Sequence, residues 1–307
     1  MLRRFRPWQL AIVVVAMCVA AVVAARWWRV SSPYDAAHLI SALPTDRATV
    51  VYLDTGQLRD SGLLALLAGS KAAEEPDYRK FVDETGFDYR TDLDAVAAAF
   101  VENRFYATLR GRFRWKQLTA YAESQGGECH YSVCTMLGST ADRSISFYPL
   151  KSDVLALAVS NDPRGVTLIG PRGGVRISVP GDPVWISVPA AAFNRLEAFP
   201  AGTRAFLSPL THAEKVIFAA GPQGDRLQLR LEVACATPQA AADLVKEFSS
   251  VTGLLKSMIE REHMTPNTRD LSGVLVAGTF EQRQSTVIGT WPVERGFVEA
   301  LASGQIQ

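Results

Sequence analysis

The residue types able to do chemistry are few in this chain: four histidines and four cysteines among 307 residues, plus scattered acidic pairs. Cys129 and Cys134 lie in GGECHYSVCTMLG, where a glycine pair and a short polar stretch let the chain fold back. Their spacing predicts a disulfide clip. Read instead as a metal or redox site, Cys129, His130 and Cys134 depart from Cys-x-x-Cys and lack a second ligand pair. Cys235, in LQLRLEVAC, reads as a small buried hydrophobe, and Cys18 belongs to an apolar N-terminal run. The histidines, His38, His130, His212 and His263, are dispersed with no partner at ligand spacing. His212, in SPLTHAEK, has Ser208, Thr211 and Glu214 nearby and is the candidate general base. Asp92 and Asp94, in RTDLDAV, would share one face of an extended segment because side chains alternate. They are the candidate acid pair or calcium ligands, although no third ligand or glycine follows at the spacing of a calcium loop.

Local signatures of common sites are missing. There is no Gly-x-Ser-x-Gly elbow, no Walker loop, no Ser-x-x-Lys, no His-Glu-x-x-His, and no Gly-x-Gly-x-x-Gly following a strand. No catalytic residue, metal site or cofactor is therefore expected. The formal net charge is +1, with Arg and Lys interleaved with acids, so the chain offers no basic face to nucleic acid. Hydrophobic residues at 48% against 21% charged place it among globular chains rather than disordered ones.

The N-terminal elements come first. Trp8 to Ala25 is an uncharged run of about 18 residues, close to the minimum for crossing a bilayer. With Trp8 and Trp27/Trp28 at either end, its helix would span roughly 30 Å and set an aromatic belt at both interfaces. Arg3, Arg4 and Arg6 precede it and Arg26 and Arg29 follow, which favours a cytoplasmic N-terminus with the remainder periplasmic or extracellular. A cleavable signal peptide is the rival, but Val23-Ala24-Ala25 would leave Arg26-Trp27-Trp28 as the mature start. The reading is an uncleaved single-pass anchor over 1–30.

Beyond a polar tether, the strand Ala48 to Asp54 leads to helices over Gln57 to Ala68 and Pro76 to Thr85. A hairpin turning at Glu102-Asn103, a helix stopped by Gly126-Gly127, and a second hairpin at Lys151-Ser152 follow. Gly and Pro crowd the stretch from Asp162 to Asp182, marking a boundary. The same order then recurs. Strand Pro183 to Val188 and a helix around Ala190 to Ala198 precede a hairpin turning at Gly221 to Asp225. A long helix runs from Thr237-Pro238 to about His263, with Leu244, Phe248, Val251, Leu255 and Met258 as its stripe. Strands LSGVLVAGTF and STVIGTW and a helix from Val293 to Leu301 complete the set. The fold class expected is α+β: a transmembrane helix followed by two tandem ferredoxin-like units of antiparallel sheet and helix, 31–165 and 166–307, related by internal duplication.

LPTDRATVVYLDTGQLR and DYRKFVDETGFDYRTDLDAVAAAF resemble segments of uncharacterised bacterial single-pass envelope proteins with a duplicated α+β exported region. The resemblance implies this architecture and address and supplies no activity or site. Together these observations lead to a membrane-anchored extracytoplasmic module that binds or scaffolds other envelope proteins and touches the bilayer through its N-terminal helix. The alternative is an exported hydrolase whose groups, His212 and the Asp92/Asp94 pair first among them, assemble only in the fold.

Overall fold

The computed structural model describes residues 35–68, 75–140, 142–171, 179–194, 204, 207–223, 226–262, 266–267 and 270–302. The chain divides into two compact units, Met1–Asp35 and Ala36–Gln307, and every element below belongs to the second. The apolar run Trp8 to Ala25 lies outside the described residues. Among those described, no helix is long and apolar enough to cross a membrane. The longest, Pro238–Arg261, has the length but carries Asp243, Lys246, Glu247, Lys256 and Glu260 along it. The expected single-pass membrane protein, with its bilayer contact and its N-in, C-out placement, is corrected on that finding.

The first half opens with α1 (Ala36–Ser41) and β1 (Thr49–Leu53), followed by α2 (Thr55–Asp60), α3 (Leu63–Ala68), α4 (Pro76–Thr85) and α5 (Tyr89–Asp92). Next come β2 (Leu93–Val101), β3 (Arg104–Gly111), α6 (Trp115–Ser124), β4 (Glu128–His130), β5 (Val133–Leu137), β6 (Ser144–Lys151) and β7 (Val154–Ser160). The second half holds β8 (Val184–Pro189), β9 (Lys215–Gln223), β10 (Arg226–Ala234), α7 (Pro238–Arg261), α8 (Leu271–Val276), β11 (Thr279–Arg283), β12 (Thr286–Val293) and α9 (Arg295–Ala302). Short 3-10 turns lie at Gly165–Leu168, Ala190–Asn194 and Ser208–His212.

All the strands join one twelve-stranded sheet in the order β11-β12-β10-β9-β8-β1-β2-β3-β7-β6-β5-β4. Every neighbouring pair is antiparallel. The expected pair of ferredoxin-like units is thereby overturned. A ferredoxin-like unit splits a parallel βαβ crossover around a hairpin. Here the helix after the first hairpin leads to a second hairpin, whose last strand returns antiparallel beside the third. The order β1-β2-β3-β7-β6 is matched by β8-β9-β10-β12-β11, and the two sets merge where β1 pairs with β8, Val50 opposite Ser187 and Tyr52 opposite Trp185.

Register carries one row of side chains across the sheet: Cys129, Cys134, Phe147, Leu157, Ala107, Ala98, Val51, Ile186, Phe218, Leu231, Gly289 and Phe280. Since partners across a sheet share a face, the two main helices share it too. Leu118 and Ala122 of α6 bury against Phe147 and Leu155. Ala241, Leu244 and Phe248 of α7 bury against Val216, Leu231, Val233 and Val287. The opposite face of the first half is paved with small residues, Ala97, Ala99, Ala156 and Ala158, all fully buried. On that face α1 comes close enough for the buried Thr108 hydroxyl to donate to the Leu39 carbonyl at 3.0 Å.

Two local readings change. Gln57 to Ala68 is two helices, because Gly62 takes a left-handed φ of 74° between them. LSGVLV, expected as strand, is the helix α8: the Asp270 carboxylate accepts from the Gly273 amide at 2.9 Å and caps it. Val274 then buries against Val293 and Phe297. A cap plus packing outweighs the β-branched composition.

Candidate functional site

The residues singled out for chemistry do not converge. Asp92 is held by Arg112 at 3.1 Å and accepts from the Asp88 amide at 3.0 Å. Asp94 pairs with Arg59 at 3.1 Å. Each carboxylate thus has its own guanidinium, and both fasten the start of β2 to its surroundings. His212 ends the Ser208–His212 turn, and its side chain lies outside the description; there the Thr211 hydroxyl donates to the Ser208 carbonyl at 2.9 Å. His263 also lies outside the described residues. His130 is exposed and faces Glu128 at 3.4 Å. Among the described residues no group of three or more His, Cys, Asp or Glu could hold a metal ion.

Cys129 and Cys134 face each other across β4 and β5 and are bonded, with S–S 2.02 Å. Cys134 is buried among Leu118, Ala122 and Phe147, so the bond lies under α6 as part of the core. Cys235 is buried, and burial pushes its thiol pKa up, away from the reactive thiolate.

The titratable groups most displaced from their ordinary values form a fastening. The Asp88 carboxylate accepts from Arg90 at 2.6 Å and from the Tyr78 hydroxyl at 2.8 Å. The Arg90 hydrogen bonds hold Asp88 down to about 2, and burial pushes Tyr78 up to about 12. The group ties α4 to the cap of α5, since the Asp88 side chain also accepts from the Arg90 amide. Its polar atoms are already satisfied by one another.

The feature of a different kind is a hollow of about 450 Å³ on the helix face of the second half. Its floor is Phe218, Leu229, Leu231 and Trp291 from β9, β10 and β12. Phe248 of α7 and Leu271, Val274 and Leu275 of α8 form the roof, with Leu207 and Leu210 at one side and Phe297 of α9 at another. Arg230 is the single charged residue in the lining among the described residues, and its guanidinium is paired with Asp182.

Glycines shape the aromatic wall. Trp291 meets Phe280 edge-on at 5.4 Å, and Phe280 stacks on Phe248 at 5.0 Å. A side chain at Gly278 would collide with the Trp291 indole, and a Cβ at Gly289 would sit 3.0 Å from that ring and 3.1 Å from Phe280. The Trp291 indole N–H has no hydrogen-bond partner among the described residues. Among the described residues neither acid, base nor nucleophile lines the hollow, which leaves shape and apolar surface as what it offers.

Sequence reading missed this site because its lining comes from elements spread between Leu207 and Phe297. The one local signal was the α7 stripe. Leu244 and Phe248 are buried, but Met258 is 52% exposed and its neighbour Ile259 is buried at 7%, so the buried face continues one position beyond the expected stripe.

No known family matches the chain, and neither does any curated protein. Among solved structures it is similar to crystal form I of TP0453, at 12% identity and a TM-score of 0.48 over 86% of this chain and 95% of that one. It is likewise similar to crystal form III of TP0453, at 11% identity and a TM-score of 0.49 over 86% of this chain and 96% of that one.

Proposed function

We propose that this chain is a non-catalytic binding module of the cell envelope, and that its ligand occupies the hollow under α7 and α8. The observation that carries the reading is the hollow itself: about 450 Å³ with an almost wholly apolar lining. That volume is within the roughly 300–1,000 Å³ of small-molecule sites. The apolar walls meet water where the hollow opens, and covering that surface with an apolar ligand is favourable. The hydrolase alternative finds no support at Asp92 and Asp94, each of which is held by an arginine. The envelope setting is supported by the Cys129–Cys134 bond, since disulfides persist in oxidising compartments and are rare in the cytosol.

Filling the hollow tests the reading. Leu275→Trp places an indole over the space from a half-buried position on α8. The full chain should take up the apolar dye N-phenyl-1-naphthylamine with enhanced fluorescence, and the filled variant should not. Equal uptake by both would show that the hollow is not the binding site.

A further inference from the structure

We propose that the hollow takes a single unbranched hydrocarbon chain, the tail of an amphiphile whose polar head stays in water at the rim. This rests on the hollow being the binding site, and it concerns which class of ligand fits there.

Three observations point to a chain. The first is polarity. Apart from Arg230, already paired with Asp182, the lining offers no charged group among the described residues. A polar group carried inside would lose its hydration, and the one unpartnered donor there among the described residues, the Trp291 indole N–H, is buried against Gly278. Compact polar ligands are held by a few placed donors and acceptors, and this lining lacks such a set. The second is shape. The floor runs over three adjacent strands, β9, β10 and β12, about 10 Å across at the usual strand spacing, and the lining extends past it to Leu207 on one side and Phe297 on another. That is the outline of a slot. The third is the rim. Leu229 and Leu271 line the hollow and are also 38% and 39% exposed, so its apolar wall continues to the surface. A ligand wholly enclosed would need no such rim, whereas a tail entering from a head in solvent passes over it.

Capacity agrees. A cavity of about 150 Å³ holds one benzene ring, and the hollow has about 450 Å³. Binding that is purely hydrophobic gains about 0.8 kcal/mol per methylene, or about fourfold in affinity per added carbon. Affinity should therefore climb with chain length and level off once the slot is full. A compact ligand site shows no such series.

The test is a competition on the full chain. The straight-chain fluorophore cis-parinaric acid should bind with one site per chain. Saturated fatty acids should displace it with affinity rising about fourfold per methylene to a plateau, while adamantane-1-carboxylate, with the same head on a compact body, should not compete. Leu271→Glu, at a rim position exposed enough to leave the fold intact, should weaken parinarate binding by about tenfold, as expected for a lost apolar contact and a charge facing the acid. Palmitoyl-lysophosphatidylcholine separates the sources: displacement equal to that by palmitate assigns the site to chains with any head, and displacement by palmitate alone assigns it to free acids. If adamantane-1-carboxylate competes better than palmitate, or no length series appears, the chain assignment is wrong and the hollow remains a site. If neither parinarate nor N-phenyl-1-naphthylamine binds, the underlying reading fails as well.

Discussion

The two halves of the sheet follow one strand order and pack their main helix on one face, yet in the second half the described residues leave a wide apolar hollow beside that packing. Under α6 the space is taken by a chain of aromatic rings. Phe81 meets Tyr121 at 5.1 Å, Phe87 stacks on Phe113 at 5.1 Å, and Phe113 lies 5.3 Å from Trp115. Beside them the Cys129–Cys134 bond occupies the same row as Phe147 and lies in the same core. Under α7 the matching row runs through Phe218, Leu231 and Gly289; the Trp291 and Phe280 rings cover the glycine, and the hollow opens beside Phe218, Leu231 and Trp291. Topology alone therefore does not decide whether a layer of helix on sheet becomes a core or a container. The filling side chains do, and here the described residues of the second half pack a core and leave a hollow next to it.

That contrast can be broken most severely in the first half. Phe147→Ala should cost about 3–5 kcal/mol in urea unfolding, since the side chain is 8% exposed within a packed cluster. A loss below about 1 kcal/mol would mean that the first half is as loosely filled as the second. Replacing Cys129 and Cys134 together by Ala should cost about 2 kcal/mol, because the loop they close is short, a sequence separation of 5. In the second half the sign reverses: Leu275→Trp should raise stability by about 1 kcal/mol or raise Tm by a few degrees, because it fills space and displaces no packed group. If Leu275→Trp instead destabilises as much as a core substitution, the hollow is narrower than its walls indicate.

Two finer measurements sharpen the comparison. Asp88 has its folded-state pKa lowered to about 2 from an ordinary 3.8, so its contribution is complete above the higher value and is lost as pH falls through the lower one. Unfolding followed between those values should show a loss of stability on acidification that Asp88→Asn flattens. An unchanged slope would mean that the pairing with Arg90, whose side chain is half exposed, does not persist in solution. The smallest effect is expected on the outer side of α7, where Leu254 is 63% exposed. Leu254→Gln should shift unfolding by less than about 0.5 kcal/mol.

Much of the local structure was readable. Pro76 opens α4 and the left-handed Gly86 closes it. Thr237 accepts from the Ala240 amide at 3.1 Å and starts α7, and the β2–β3 hairpin turns at Glu102 with φ 53°. These are contacts between residues a few positions apart, and their signals are local. The failures share the opposite property. α8 was read as strand because its valines favour extended backbone, whereas the packing that makes it helical comes from Val293 and Phe297. The joining of the halves depends on Val50 meeting Ser187, residues that leave no mark on one another in the sequence. The hollow is harder still, since a space is defined by where side chains are missing. Gly289 leaves room for the Trp291 and Phe280 rings that lie over it, a contact that no local spacing announces.

The seam between β1 and β8 has a consequence for the edges of each half. Corresponding strands run antiparallel there while both main helices keep to one face, so strand order and helix side follow an approximate two-fold axis normal to the sheet. Tyr52 and Trp185, opposite one another on that line, stack at 5.8 Å. Taken singly, either half would end in a bare first strand, a ready template for pairing with another chain. By covering one such strand with the other, the seam removes two sticky margins at once and leaves β4 and β11 at the borders of the sheet.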